Sequence, residues 1–137
     1  MQNTLQISRK SDYALRAVIR LARLPKEQVV NFKNIAQSER IPEEYLAKIL
    51  RALVLRGLVR SIRGARGGYQ LARQPSEISF LDVIEATDGP ISINTCLGNG
   101  GGCPVHNYCS MHQVWRRAQD AMLEVFRGTT LHDVIQC

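Results

Sequence analysis

Three cysteines, Cys96, Cys103 and Cys109, fall within fourteen residues, and His112 follows the last of them. The spacing Cys96-x6-Cys103-x5-Cys109-x2-His112 runs through Gly98, Gly100, Gly101 and Gly102, a backbone loose enough to wrap several sulfurs around one centre. Soft thiolates favour an iron–sulfur cluster or zinc over hard cations. A Cys3His zinc site competes with the cluster, although structural zinc prefers closer cysteine pairs. A reversible disulfide between two of the thiols is the third chemistry. Four unrelated small apolar residues are a poor account, because so polar a loop has no core in which to bury them. The cluster is the favoured reading. If a helix begins near Cys109, His112 lies one turn on and faces the same side. His106 is a rival fourth ligand, constrained by Pro104; Cys137 reads as a frayed terminal thiol and His132 as a surface residue.

A second constellation is basic. Arg63-Gly64-Ala65-Arg66-Gly67-Gly68 sets two arginines among three glycines. Such a tip suits a minor groove, where negative potential attracts guanidinium groups, and Gly67 keeps the backbone slim beside phosphates. Upstream, Glu43, Glu44, Lys48 and Arg51 are candidate readers of base edges, a carboxylate accepting from cytosine and Lys48 reaching guanine or phosphate. The two glutamates also suit a helix start by charge alone. Tyr45 reads as core or as a phosphate contact, and Lys33, Arg9, Lys10 and Arg60 as backbone-charge candidates.

These residues need elements to carry them. Ala14, Ala17, Val18, Leu21 and Ala22 repeat at helical spacing over 11–24, ended by Pro25. Val29-Val30 reads as a short strand, and Asn31 caps a short helix through Phe32, Ile35 and Ala36. A second helix follows, with Pro42 at its first position, Leu46, Ile49, Leu50 and Leu53 as its stripe and Gly57 as its stop. Two helices and a tight turn match a helix-turn-helix. Strands at 58–62 and 69–72 around the arginine loop then make a wing. Pro75 ends this unit. Ser79 and Asp82 have capping-box spacing for a helix to about Ala86. A long helix runs over 109–126 to Gly128, and Thr130 caps a last turn, 131–135. Met111, Trp115, Ala118, Met122 and Val125 form a coiled-coil seam on the long helix, with a second apolar row of Val114, Ala121 and Phe126 beside it. The fold expected is mainly α with a small β wing: a winged helix-turn-helix over 1–75, and a cluster loop with a dimerisation helix over 76–137.

Composition narrows the function classes. The 137 residues are 45% hydrophobic and 22% charged, ordinary for a soluble globular chain. Residues 1–73 hold fifteen Lys or Arg against five Asp or Glu, whereas 74–137 hold three against seven. The basic half implies a polyanionic partner, and composition alone does not separate nucleic acid from an anionic membrane surface. No apolar run is long enough to span a bilayer. The start lacks a secretory signal, so a cytoplasmic location is expected, where cysteines serve metal or redox chemistry rather than structural disulfides. There is no nucleophile–base pair, phosphate-binding loop or carboxylate pair, so an enzyme is not expected.

Asp12-Tyr13-Ala14-Leu15-Arg16, Tyr45-Leu46, Gly57-Leu58-Val59, the arginine–glycine wing continuing to Tyr69, and the Cys96/Cys103/Cys109 loop together resemble the bacterial winged-helix iron–sulfur regulators typified by IscR and NsrR. The resemblance covers nearly the whole chain. It implies a homodimeric transcription factor on a palindromic double-stranded operator, its DNA affinity or sequence preference altered by the state of its cluster. Three cysteines with His112 look like the 2Fe–2S site of the IscR type. Asp12 falls where the NsrR type supplies an aspartate from the other subunit to a 4Fe–4S cluster, and it is equally a good first-turn helix residue. Six residues separate the first two cysteines where the family usually has five, a departure the glycine run absorbs. A cluster-free thiol repressor of the same fold is the competing expectation.

Overall fold

The computed structural model describes residues 6–25, 28–98 and 109–136. The first helix, α1 (Arg9–Ala22), starts two residues before the periodicity suggests, because Ser8 caps it by accepting from the Ser11 N–H at 3.0 Å. Asn31 caps α2 (Phe32–Glu39) in the same way, accepting from Asn34 N–H at 2.8 Å. The next helix, α3 (Glu43–Leu55), begins after Pro42 rather than on it: Pro42 has extended ψ of 134° and stands as the N-cap.

Both α2 and α3 end in the same double hydrogen bond. After α3, Leu58 N–H reaches Leu53 O and Gly57 N–H reaches Val54 O, with Gly57 at φ 73°. After α2, Ile41 N–H reaches Ala36 O and Arg40 N–H reaches Gln37 O. This is the Schellman closure, whose left-handed position favours glycine. At the tight turn between α2 and α3 that position is Arg40, at φ 54° and ψ 47°.

The wing is an antiparallel pair, β1 (Val59–Ile62) and β2 (Gly68–Leu71), in register from Val59 opposite Leu71 to Ile62 opposite Gly68. The strand expected at Val29-Val30 is a single bridge, Val30 exchanging both backbone hydrogen bonds with Tyr69 at 2.9 and 2.8 Å. Pro75 opens a short 3-10 turn, Pro75–Glu77. Ser79 and Asp82 form the expected capping box at the start of α4 (Phe80–Asp88), and a second 3-10 turn spans Thr95–Leu97. The long helix α5 (His112–Gly128) starts three residues later than expected, since Ser110 and Met111 form a turn. Thr130 caps α6 (Leu131–Ile135) through a box with Asp133.

One core joins these elements. Val18 of α1, Ile35 of α2 and Leu46, Ile49, Leu50 and Leu53 of α3 are fully buried together with Ile78, Val83 and Leu131. Both α4 and α6 pack on α1. Phe80 N–H donates to Thr129 O and Leu131 N–H to Ile78 O, each at 2.9 Å, so the chain returns at 129–131 to the point it left at 78–80. By contrast α5 contacts α4 and the Thr95–Leu97 turn, and none of its residues is buried.

Candidate nucleic-acid interface and thiol loop

With Leu46, Ile49, Leu50 and Leu53 turned into the core, α3 leaves Glu43, Glu44, Tyr45, Lys48 and Arg51 exposed. Glu43 and Glu44 occupy the first turn, where the helix dipole favours negative charge. Tyr45 is 49% exposed, neither core nor free: its ring packs on Tyr13 of α1, centroids 6.1 Å apart at 55°. The Arg16 guanidinium lies 5.8 Å from the Tyr13 centroid and pairs with Asp12 at 2.8 Å. Thus Asp12 is engaged within its own helix, and a ladder of Arg16, Tyr13 and Tyr45 steps from α1 to the first turn of α3. The Asp12–Arg16 pair has i,i+4 spacing and was legible in principle; the ring contact, 32 residues apart in sequence, was not.

Arg9, Arg16 and Arg40 line one open cavity around Asp12 and Tyr13. Lys33 is exposed in the first turn of α2. At the wing, Arg63 and Arg66 are exposed at the turn. Gly67 N–H closes that turn on Gly64 O at 2.9 Å, and a Cβ on Gly67 would run into Ile62 O. Gly67 is therefore demanded by the wing's own backbone. Gly68 answers the same constraint, since its Cβ would strike Val30 O.

The thiol loop is described at its two ends. Cys96 sits half-buried in the Thr95–Leu97 turn, Cys109 is half-buried ahead of α5, and neither is in a disulfide. His112 is the first residue of α5 and is half-buried. Cys109 thus lies outside the helix, so helical spacing does not set its direction relative to His112. Cys103, His106 and Cys137 lie outside the described residues. Among the described residues no three His, Cys, Asp or Glu converge as a metal cluster would need. One contact was missed from sequence: Ile93 N–H donates to Gln119 Oε1 at 2.9 Å, pinning the chain three residues before Cys96 to the middle of α5. Nothing in the local pattern marks Gln119.

A second polar junction lies where α1 begins. Ser11 is fully buried; its hydroxyl donates to Asp88 Oδ2 at 2.8 Å and meets Thr87 Oγ1 at 2.7 Å. The Ser8 hydroxyl reaches the same Asp88 oxygen at 2.6 Å. Asp88 is the last residue of α4, so the start of the thiol loop is fastened to the start of α1. Among the described residues no helix is long and apolar enough to cross a membrane.

A family model for Rrf2, described as an iron-dependent transcriptional regulator, matches residues 7–137. The transcriptional regulator CymR of Bacillus subtilis is 37% identical over 130 residues, covering 95% of this chain and 89% of that protein. Its solved structure, described as that of the global cysteine regulator, superposes with a TM-score of 0.78 over 96% of each chain. The regulator NsrR of Geobacillus kaustophilus is 32% identical over 133 residues, 96% of this chain and 90% of its own. The structure of IscR from T. potens gives a TM-score of 0.79 at 31% identity, over 96% of this chain and 87% of that one. The named relatives are regulators of transcription, not enzymes.

Proposed function

The chain belongs to the Rrf2 family of winged-helix transcription regulators, and from that premise we propose that it acts in the cytoplasm as a homodimer whose grip on duplex DNA reports iron, redox state or nitric oxide through an iron–sulfur cluster. The observation that carries the DNA reading is the exposed polar face of α3 beside a hairpin tipped by Arg63 and Arg66. In this reading residues 1–75 read DNA. Glu43, Glu44, Lys48 and Arg51 enter the major groove, and Tyr45, held by Tyr13, sits against the backbone. Arg63 and Arg66 reach the minor groove over the glycine turn, Gly67 keeping its backbone close to the phosphates, and Lys33 contacts phosphate.

Residues 76–137 form the sensing and pairing half. Sulfur from Cys96, Cys103 and Cys109 with imidazole from His112 is a donor set that fits soft iron. These four residues would hold a 2Fe–2S cluster; Asp12 of a second copy in place of His112 would favour 4Fe–4S. When bound, such a group supplies a charge and a set of iron–sulfur bonds that are lost with its iron. The chain's own part is mechanical. The stretch leading into Cys96 is tied twice, to α1 through Asp88 and to α5 through Ile93 and Gln119. The exposed stripe of Met111, Val114 and Val125 meets the second copy, so movement of the loop alters the spacing of two α3 helices. Two such helices match a palindromic operator with half-sites about 34 Å apart.

The test is operator binding by protein purified without air, loaded and then stripped of iron, on duplexes selected from a random library. Affinity is expected to fall by about a thousandfold between 50 and 200 mM salt, as for six or more neutralised phosphates. A salt-insensitive complex refutes the DNA reading, and equal affinities for loaded and stripped protein refute the sensing. The similarity to a global cysteine regulator and the two uncrosslinked thiols support a second reading, a cluster-free thiol repressor. Colourless protein, iron-free after reconstitution, that binds DNA in only one thiol state would establish it.

A further inference from the structure

Between the C-terminal end of α1 and the wing lies a cavity of about 490 Å3 that neither the DNA reading nor the thiol loop uses. Leu21, Leu24 and Leu71 give it an apolar wall, and Arg60, Gln70 and Arg73 bring polar groups to it. Its volume lies in the range of small-molecule sites. Arg60 and Gln70 face each other across the β1–β2 ladder, so they project from one side of the hairpin. Gln70 Oε1 is shut off from solvent and meets no donor among the described residues, an arrangement proteins avoid unless a partner arrives. Gln70 also lines the cavity, where a bound ligand can supply the missing donor.

Arg73 extends the site to the candidate reading helix. Its Nη2 donates to Arg56 O, the C-cap of α3, at 3.5 Å. Glu77 also lines the cavity, but its carboxylate is engaged by the Gln74 N–H at 3.2 Å. Two guanidiniums against one carboxylate leave the lining one positive charge in excess.

We propose that this cavity is an effector site for a small monocarboxylic acid that also carries a hydroxyl or amino group. The carboxylate pairs with Arg60 and Arg73, the hydroxyl or amino group donates to Gln70, and the carbon skeleton lies against the leucines. The walls come from α1, the wing and, through Arg73, the cap of α3. An acid that prefers one wing angle therefore shifts DNA affinity by its differential binding alone. That regulatory consequence rests on the DNA reading above; the binding itself does not.

The site is tested on the full iron-free chain without DNA, so its failure and that of the DNA reading are told apart. The probes are the twenty amino acids and a panel of 2-hydroxy acids, each at millimolar concentration, with inorganic phosphate as the ionic control. At least one acid is expected to raise Tm by a few degrees and to bind calorimetrically. Arg60→Gln and Arg73→Gln should each weaken it about tenfold, the worth of a charge-assisted hydrogen bond, and Leu24→Trp should abolish binding by filling the space. Arg60 is exposed, so Arg60→Gln keeps the test intact if Arg73→Gln fails to fold. Absence of any shift, equal binding of phosphate, or binding unchanged in Arg60→Gln overturns the proposal.

Discussion

Ser11 has no exposed surface, yet its side chain is polar, and its single proton goes to Asp88. Thr87 can turn its own proton to Ser11 or to Ile84 O, 3.1 Å away, so every hydroxyl of the junction has a partner. A hydrogen bond to a carboxylate is worth more than a neutral one, and this one is part-buried. Ser11→Ala is therefore expected to cost about 1–3 kcal/mol in urea unfolding; a change below 0.5 kcal/mol would show that water replaces the hydroxyl. At this scale the sequence was uneven. The cysteines, the wing arginines and the exposed residues of α3 were legible because residue type and spacing alone announce them. The partners that fix their surroundings were not, because Ser11 and Asp88 are 77 positions apart and Ile93 and Gln119 26.

Helix ends carried the most legible local code. Asn31, Ser79 and Thr130 all cap where their side chains can accept from the backbone two or three residues on. The misread bounds have local causes: Ser8 draws α1 back, extended backbone keeps Pro42 outside α3, and a turn delays α5 to His112. Arg40 is the exception to the code, standing where a Schellman closure favours glycine. Arg40→Val should cost about 1–2 kcal/mol, since a β-branched side chain fits the left-handed region worst, whereas Arg40→Gly should be neutral or stabilising. Equal Tm for the two variants would contradict the strain. At the last helix, Asp133 is held below its ordinary value of 3.8, first by the Thr130 N–H, then by the Thr130 hydroxyl, with His132 adding a smaller pull. A depressed folded value means that the cap helps fully above the ordinary pKa and is lost as pH falls through the folded one. An NMR titration of the Asp133 carboxyl should thus show a midpoint below 3.8, returning towards it in Thr130→Ala.

Over the whole molecule, the winged helix-turn-helix was readable because its apolar spacing and turns are local. The return of Leu131 into the core beneath α1 was not, for a buried leucine in a five-residue helix carries no mark of its destination. The face of α5 was legible only in part. Of the expected seam, Met111, Ala118 and Val125 are exposed but Trp115 and Met122 are half-buried. Val114 of the second row is exposed, at 57% beside 63% for Val125 in the single chain. Val114→Glu with Val125→Glu should give a folded monomer by sedimentation and weaken operator binding at least tenfold, because two half-sites then bind independently. A dimer that survives both changes places the pairing surface elsewhere.

The clasp between 78–80 and 129–131 has an evolutionary corollary. Helix α4 stays with the body, packed on α1 and held there by Asp88. Only the stretch from the end of α4 to the end of α5 runs outside the core before the chain rejoins it at 129–131, and the closing penalty for such an excursion grows only with the logarithm of its length. Within it, residues ahead of α5 can be lengthened, shortened or exchanged at little thermodynamic expense to the winged helix-turn-helix. If that stretch is the sensing element proposed above, a lineage can exchange its signal while inheriting the same grip on its genes, as a lamp changes bulbs in an unaltered socket.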